Sequence, residues 1–229
     1  MHLAVTPLVE PRHKARLVSR QVGVGDADFS KAECAAPTLD IARELFEVDV
    51  LGRALRHHRN RTGGVNQIMT TAIIEERRCF LPDAAASVRA GMRIAAGTCG
   101  GMVIALSGEL GTGKTTLVRG ILKGLGWSGT VKSPSYTLVE HYIISSLYFY
   151  HFDFYRFGDP DEWRYTGFAE YFRPDSICVI EWPERIGNWL PRVDLAVRLE
   201  YSDSGRALTL RAATTSGRAC LDTFSASAK

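Results

Sequence analysis

The sequence lacks the features of membrane, secreted and disulfide-stabilised proteins. It contains no uninterrupted apolar stretch of about 18 residues, so it predicts no membrane-spanning helix. Its first residues, MHLAVTPLVEPRHK, have no basic segment followed by an apolar block, which a secretory signal requires. The five cysteines never form a CxxC pair, so neither a zinc site nor a disulfide framework is indicated. We therefore expect free thiols in a reducing cytosol and a cytoplasmic location.

An excess of charge of one sign is also missing. The chain has 28 basic and 25 acidic residues, and its net charge of +3 is too small to indicate nucleic-acid binding by itself. We expect no DNA partner. The composition, 45% hydrophobic and 23% charged, is typical of a soluble globular protein with a substantial core.

The composition and the pattern of predicted elements change at about residue 68. Residues 1–68 contain a basic cluster, LRHHRNRTGG, and one helix-like patch, TLDIARELFEVDVLGRAL, which cannot bury its apolar face alone. We expect a docked helix, a poorly ordered leader, or an extension translated from a start codon placed too early, with Met69 opening the functional unit. Residues 69–213 then form the domain, and residues 214–229 form a frayed tail of small and polar residues.

Strand and helix signals alternate within residues 69–213. A helix is predicted after Pro82, with Asp83 as its N-cap, and another in DPDEWRYTGFAEYF. Strands are predicted in TAIIEE, MVIALS, YTLVEHYII, SLYFYHF and SICVIE, and a C-terminal β-hairpin that turns at Ser204-Gly205 in DLAVRLEYSDSGRALTLRAA. This order predicts a three-layer α/β domain with a mostly buried central sheet.

A phosphate-binding loop lies between the strand MVIALS and the helix-like run TLVRGILKGL. The segment GELGTGKT, Gly108 to Thr115, has the GxxxxGK[ST] pattern, in which glycines allow backbone N–H groups to converge on phosphate oxygens. Lys114 is expected to reach the β- and γ-phosphates, and the Thr115 hydroxyl to bind Mg²⁺. The fold class is therefore a P-loop NTPase. The predicted nucleotide-binding residues of the loop are Gly108, Leu110, Gly111, Thr112, Gly113, Lys114, Thr115 and Thr116.

Two acids follow buried strands, where α/β sheets bind ligands. Glu181 ends SICVIE and is predicted to hold Mg²⁺ directly or through water, or to polarise the attacking water. Asp153 ends the aromatic strand SLYFYHF, and two interpretations of it are equally supported. It either orients water against the γ-phosphate or forms a buried ion pair with Arg156 that supports the fold. We expect His151 to be a core histidine.

The segment KSPSYTLVEHY follows the first helix, where many P-loop proteins have a nucleotide-sensing loop. Ser133, Ser135 and Thr137 each offer a hydroxyl to the γ-phosphate or Mg²⁺, and Pro134 stiffens the loop. A Ser-Pro loop is otherwise usually a turn. We include Ser135 among the candidate nucleotide-binding residues.

Five segments together resemble the TsaE (formerly YjeE) family of bacterial ATPases in order and spacing. They are GELGTGKTTLVRGIL, VKSPSYTLVEHY, YHFDFYRFGDPDEW, TGFAEYF and ICVIEWPERI, within a likeness from about Arg78 to about Ala212. The resemblance implies ATP hydrolysis, with ATP and Mg²⁺ as cofactors, in N6-threonylcarbamoylation of adenosine 37 of tRNAs that read ANN codons. It also implies the TsaD and TsaB subunits as partners and tRNA as an indirect one.

The resemblance assigns roles to individual residues. It implies that Lys114 and Thr115 bind phosphate and Mg²⁺, that Glu181 is the second Mg²⁺ residue and that Asp153 is the acid that supports hydrolysis, which makes Lys114, Asp153 and Glu181 the candidate catalytic set. Less specific likenesses place Ala84 near the adenine and Arg206 near the nucleotide. The chain has SPSY where the family usually has SPTY, which keeps the hydroxyl and puts the rigidity of the loop in question.

Other classes of P-loop protein fit less well. A Ras-like GTPase needs NKxD and a DxxG after the loop, and the chain has no NKxD, while its DxxG, Asp49 to Gly52, precedes the loop. A small-molecule kinase remains the alternative, since several arginines are available for a lid, although no acceptor motif is visible. An ATP-driven switch acting on the TsaD–TsaB complex is the favoured hypothesis.

Overall fold

The central strand of the sheet is apolar because it is covered on both faces. A computed structural model describes residues 19–20 and 75–226, and places VIALS, Val103–Ser107, between two parallel neighbours. Ile104 and Leu106 contribute to one hydrophobic cluster, whereas Val103 and Ala105 contribute to a second cluster on the opposite face. The predicted buried strand is therefore confirmed.

The described strands form one sheet. In the order of the sheet, they are β1 (Ser19–Arg20), β4 (Val139–Ile144), β5 (Leu147–Asp153), β6 (Ser176–Glu181), β3 (Val103–Ser107), β7 (Leu195–Ser202), β8 (Gly205–Ala212) and β2 (Glu75–Leu81). Strands β5, β6, β3 and β7 are parallel, while β4, β8 and β2 are each antiparallel to a neighbour. The parallel strands end at the same edge of the sheet. The phosphate-binding loop follows β3 at this edge, Asp153 ends β5 and Glu181 ends β6.

Helices cover both faces of the sheet, which confirms the three layers. The helices are α1 (Ala84–Ala95), α2 (Lys114–Gly124), α3 (Trp163–Thr166) and α4 (Thr215–Ala226). Helices α1, α2 and α4 supply one cluster, and the short α3 with 3-10 turns around Phe168 and Pro183 covers the other face. Asp83 caps α1 as predicted, because its carboxylate accepts the Ala86 N–H at 2.6 Å.

The C-terminal tail is a correction to the sequence prediction. Residues 215–226 form α4, and Cys220, Leu221 and Phe224 are buried, so this segment belongs to the domain and is not frayed. The small residues there allow close packing, since a Cβ on Gly217 would lie 1.9 Å from the Asp194 carbonyl oxygen.

Two further elements differ from the prediction. The β7–β8 hairpin is confirmed, but Ser202 pairs with Gly205, so the turn residues are Asp203 and Ser204. The helix predicted across 159–172 is a short 3-10 turn, the four-residue α3 and another 3-10 turn, because Gly167 adopts φ +70° and ends the helical run. The helix-like patch of residues 38–55, the Met69 boundary and residues 71–74 of TAIIEE lie outside the described residues.

Three cysteines, Cys79, Cys178 and Cys220, are free thiols, and burial raises the pKa of Cys178 and of Cys220 to about 12. Cys99 is disulfide-bonded, so the expectation of free thiols is wrong for this residue. A disulfide depends on proximity in space, which spacing along the sequence does not reveal. None of the helices in the described residues is long and apolar enough to span a bilayer.

Candidate nucleotide-binding site

The loop between β3 and α2 is shaped by three glycines in the left-handed region. Gly108, Gly111 and Gly113 have φ of +133°, +79° and +101°, which side-chain-bearing residues rarely adopt. A Cβ at Gly108 would lie 2.2 Å from the Leu199 carbonyl oxygen. Gly113 is the N-cap of α2 and supplies no side-chain hydrogen bond, so the first N–H groups of the helix remain available to an anion.

Lys114 lies across this loop with its side chain largely buried. The residue is 4% exposed, and its Nζ donates to the carbonyl oxygens of Gly108 at 2.7 Å and Glu109 at 2.9 Å. The ammonium also lies 3.9 Å from the centroid of the Trp182 ring. Burial lowers the pKa of Lys114, and the carboxylate of Glu181 partly opposes that shift. A phosphate anion would compensate the buried cation in the same way.

Thr115 and Glu181 meet where a Mg²⁺ ion is expected. The Thr115 hydroxyl donates to Glu181 Oε1 at 2.9 Å, which joins the first turn of α2 to the end of β6. Hydroxyl and carboxylate oxygens are hard ligands that suit Mg²⁺, and this ion usually binds one or two protein groups together with phosphates and water. The donor set therefore fits the ion, and the glycine cradle fits the phosphates.

Trp182 completes this part of the site in a strained conformation. Its φ is +60°, which costs about 1–3 kcal/mol for a residue with a side chain. Its N–H donates to the Leu106 carbonyl oxygen at 3.2 Å. In this conformation the Trp182 ring lies against the Lys114 ammonium, next to the end of β6. The sequence offered no signal for this role beyond the position of Trp182 next to Glu181.

Asp153 is tied to the loop that follows α2. Its Oδ2 accepts the Ser133 hydroxyl at 2.5 Å, and its Oδ1 accepts the Tyr155 N–H at 3.0 Å. Arg156 lies instead over the Tyr136 ring, 4.3 Å from its centroid. The alternative of a buried Asp153–Arg156 ion pair is therefore wrong.

Ala84 and Arg206, the two less specific candidates, also lie beside the phosphate-binding loop. Arg206 Nε donates to the Thr112 carbonyl oxygen at 3.2 Å, and its guanidinium lies 4.3 Å from the centroid of the Tyr201 ring. Ala84, Gly111, Thr112, Gly113, Thr116 and Arg206 line one cavity of about 260 Å³. Its position on the α1 side of the loop suits a base or ribose.

The remaining candidate residues line a larger cavity on the other side of the phosphate-binding loop. Its volume is about 650 Å³, and its lining includes Leu110, Lys114, Thr115, Ser135, Asp153 and Glu181. Ser135 lines it and has no hydrogen bond to another described residue, whereas the Ser133 hydroxyl donates to Asp153. Both serines are candidates in the sequence, because two hydroxyls that lie two residues apart cannot be distinguished without the tertiary structure.

The chain is similar to known proteins in sequence and in fold. A family model described as threonylcarbamoyl adenosine biosynthesis protein TsaE matches residues 81–208. The tRNA threonylcarbamoyladenosine biosynthesis protein TsaE of Haemophilus influenzae is 43% identical over 151 residues, which cover 64% of this chain and 96% of that protein. The protein of the same name from Bacillus subtilis is 37% identical over 113 residues, which cover 49% and 70% of the two chains. The crystal structure of Bacillus subtilis YdiB superposes with a TM-score of 0.60 at 26% identity, covering 69% of this chain and all 100% of that one.

Proposed function

The chain belongs to the TsaE family of threonylcarbamoyl adenosine biosynthesis proteins, and from this premise we propose that it binds and hydrolyses ATP with Mg²⁺. In this proposal, nucleotide turnover acts as a switch on the TsaD–TsaB complex during formation of threonylcarbamoyladenosine in tRNA. The chain acts on tRNA only through these partners, and it works in the cytoplasm.

The observation that carries the proposal is the contact between Thr115 and Glu181 beside Lys114. It joins the three groups that a P-loop ATPase uses: a hydroxyl at the start of α2, a carboxylate at the end of a neighbouring strand and a buried ammonium. Their convergence is independent of the glycine pattern, since Glu181 lies 66 positions further along the chain.

The chemistry assigned to these residues is electrostatic positioning. The loop N–H groups and Lys114 bind the phosphate oxygens, and Thr115 with Glu181 would hold Mg²⁺, which neutralises charge on the β- and γ-phosphates. Asp153 orients the attacking water and accepts its proton. Burial of these groups excludes bulk water and strengthens each of their interactions with the phosphates.

A partner contact is proposed at the rim of the same site. Leu110 at the tip of the loop is 64% exposed, and Tyr136 in the segment after Ser133 is 83% exposed. Tyr136 lies three residues from Ser133, which is hydrogen-bonded to Asp153, so a change at the γ-phosphate can reach an exposed aromatic side chain through one loop. A nucleotide-dependent surface needs this kind of coupling, because a ligand shifts an equilibrium only by its differential affinity for two states.

The test is to measure ATP hydrolysis by the full chain alone and with the TsaB–TsaD pair, while following threonylcarbamoyl transfer to tRNA in the same reaction. We expect slow hydrolysis alone, stimulation by the partners, and a requirement for this chain in repeated rounds of modification. The control is Lys114→Ala, which should lose hydrolysis and support of modification while keeping its circular dichroism spectrum. Brisk hydrolysis that is indifferent to the partners would contradict the switch and favour a kinase with an acceptor still to be found.

A further inference from the structure

His151 is buried within the sheet, and one of its ring nitrogens lies against Glu181 of the candidate metal site. It is on β5, where its register partner on β6 is Val179, and its side chain is 0% exposed. Its Nε2 lies 2.8 Å from Glu181 Oε1. Its Nδ1 is buried and has no hydrogen-bond partner among the described residues.

This arrangement does little to stabilise the fold. A buried polar atom without a partner is destabilising, so core histidines usually have both nitrogens paired. An apolar ring at position 151 would remove the unpaired Nδ1 and fill similar space. What such a ring would lose is the single contact with Glu181, so this contact is the property that distinguishes histidine here.

The direction of the hydrogen bond follows from its acceptor. An ionised carboxylate only accepts, so Nε2 carries the proton and donates to Oε1, which leaves the Nδ1 lone pair unpaired. The Thr115 hydroxyl donates to the same oxygen. Oε1 is therefore held by two donors from two elements, and Oε2 has no recorded hydrogen bond among the described residues.

We infer that His151 is a positioning residue that fixes the carboxylate of Glu181 for Mg²⁺ binding. The inference rests on the proposed function, since it assigns Glu181 to the Mg²⁺ site. With Nε2 bonded to Oε1, the carboxylate keeps its orientation when the Thr115 oxygen is engaged by a cation, and Oε2 is left to bind the cation. Hydrogen-bonded partners of this kind orient metal ligands in many sites, and their loss typically weakens metal affinity about 10–100-fold.

The test compares two amide substitutions in the full chain. Gln at position 151 carries its amide near the place of Nε2 and can still donate to Glu181, whereas Asn carries it near the place of Nδ1 and cannot. The measurement is the Mg²⁺ concentration at half-maximal binding of a fluorescent, non-hydrolysable ATP analogue, together with analogue binding in EDTA and the melting temperature. The matched control is His141→Asn, because His141 on β4 also has a buried, unpaired Nδ1 but makes no recorded hydrogen bond to Glu181.

We expect His151→Asn to raise the Mg²⁺ midpoint about tenfold or more, with analogue binding in EDTA unchanged. His151→Gln and His141→Asn should stay within about threefold of wild type. A wild-type midpoint in His151→Asn would overturn the inference, and so would equal losses in His151→Asn and His151→Gln accompanied by loss of binding in EDTA. A wild-type chain whose analogue binding ignores Mg²⁺ altogether would overturn the proposed function as well.

Discussion

The carboxylate of Asp153 is held at both of its oxygens, and this decides what its replacement can test. One oxygen accepts the Ser133 hydroxyl and the other accepts the Tyr155 N–H. An asparagine can keep both contacts, since its amide oxygen accepts from Tyr155 and its amide nitrogen donates to the Ser133 oxygen. Charge is then the one property removed, so the role in hydrolysis can be separated from support of the fold.

We predict that Asp153→Asn keeps ATP binding within about threefold and lowers turnover at least about 100-fold, because general-base contributions are typically 10²–10⁴-fold. The free energy of unfolding should change by less than about 1 kcal/mol, since the hydrogen bonds are retained. Single-turnover phosphate release, analogue binding and urea unfolding measure the three quantities.

Ser133→Ala is the companion variant for Asp153. It keeps the charge and removes one hydrogen bond, so its loss of turnover should be smaller, about tenfold, as for other positioning contacts. If Asp153→Asn lost stability and nucleotide binding together, the carboxylate would be part of the fold and Asp153 would not be the general base.

At the scale of elements, the position of the phosphate loop depends on how closely α1 and α2 approach each other. A Cβ on Gly120 of α2 would lie 2.3 Å from the Val88 carbonyl oxygen of α1, and a Cβ on Gly91 would lie 2.3 Å from the Leu117 carbonyl oxygen. Both contacts are with backbone, which cannot move aside as a side chain can. The helices are therefore in contact through glycines, and any separation would displace the start of α2, where Lys114 and Thr115 lie.

We predict that Gly120→Ala destabilises the protein by about 2 kcal/mol. Overpacking a core costs about 1–3 kcal/mol, and the upper part of that range applies where the added atom clashes with backbone atoms. Alanine's better helix propensity offsets up to about 1 kcal/mol, so the clash outweighs it. Urea unfolding at constant m-value gives the difference, and analogue binding should weaken in parallel.

Gly158→Ala is the control for this helix contact. A Cβ there would meet only Glu162 Oε1, at 3.6 Å, so the free energy of unfolding should stay within about 0.5 kcal/mol of wild type. Wild-type stability in Gly120→Ala would show that α1 and α2 do not touch at this point.

At the scale of the whole molecule, the sequence predicted what depends on local chemistry. The strand, glycine loop and helix around Gly108–Thr115 and the Asp83 cap follow from neighbouring residues, and both are present. The choice between Ser133 and Ser135 depends on where the loop meets β5, and the partner of Arg156 depends on the same tertiary contact. Helix α4 was missed because its apolar residues are few and small residues surround them, so packing rather than pattern makes it helical.

The boundary at Met69 is a prediction that truncation can test, because the described core and the candidate site both lie C-terminal to it. Within the described part of the chain, the members of the two hydrophobic clusters run from Leu81 to Phe224, and the candidate site residues run from Ala84 to Arg206. Within residues 1–68, the described segment Ser19–Arg20 adds two register pairs to β4 and forms the edge of the sheet opposite β2.

We therefore predict that residues 69–229 fold cooperatively and bind Mg²⁺ and the ATP analogue as the full chain does. The free energy of unfolding should change by less than about 1 kcal/mol, because all the described residues of both clusters are retained. Both proteins are compared in reducing buffer. Aggregation of the shorter chain, or a loss of analogue binding beyond about threefold, would place part of residues 1–68 inside the folded domain. Retention of both properties, with unchanged stimulation by TsaB–TsaD, would assign the nucleotide-driven activity to residues 69–229 alone.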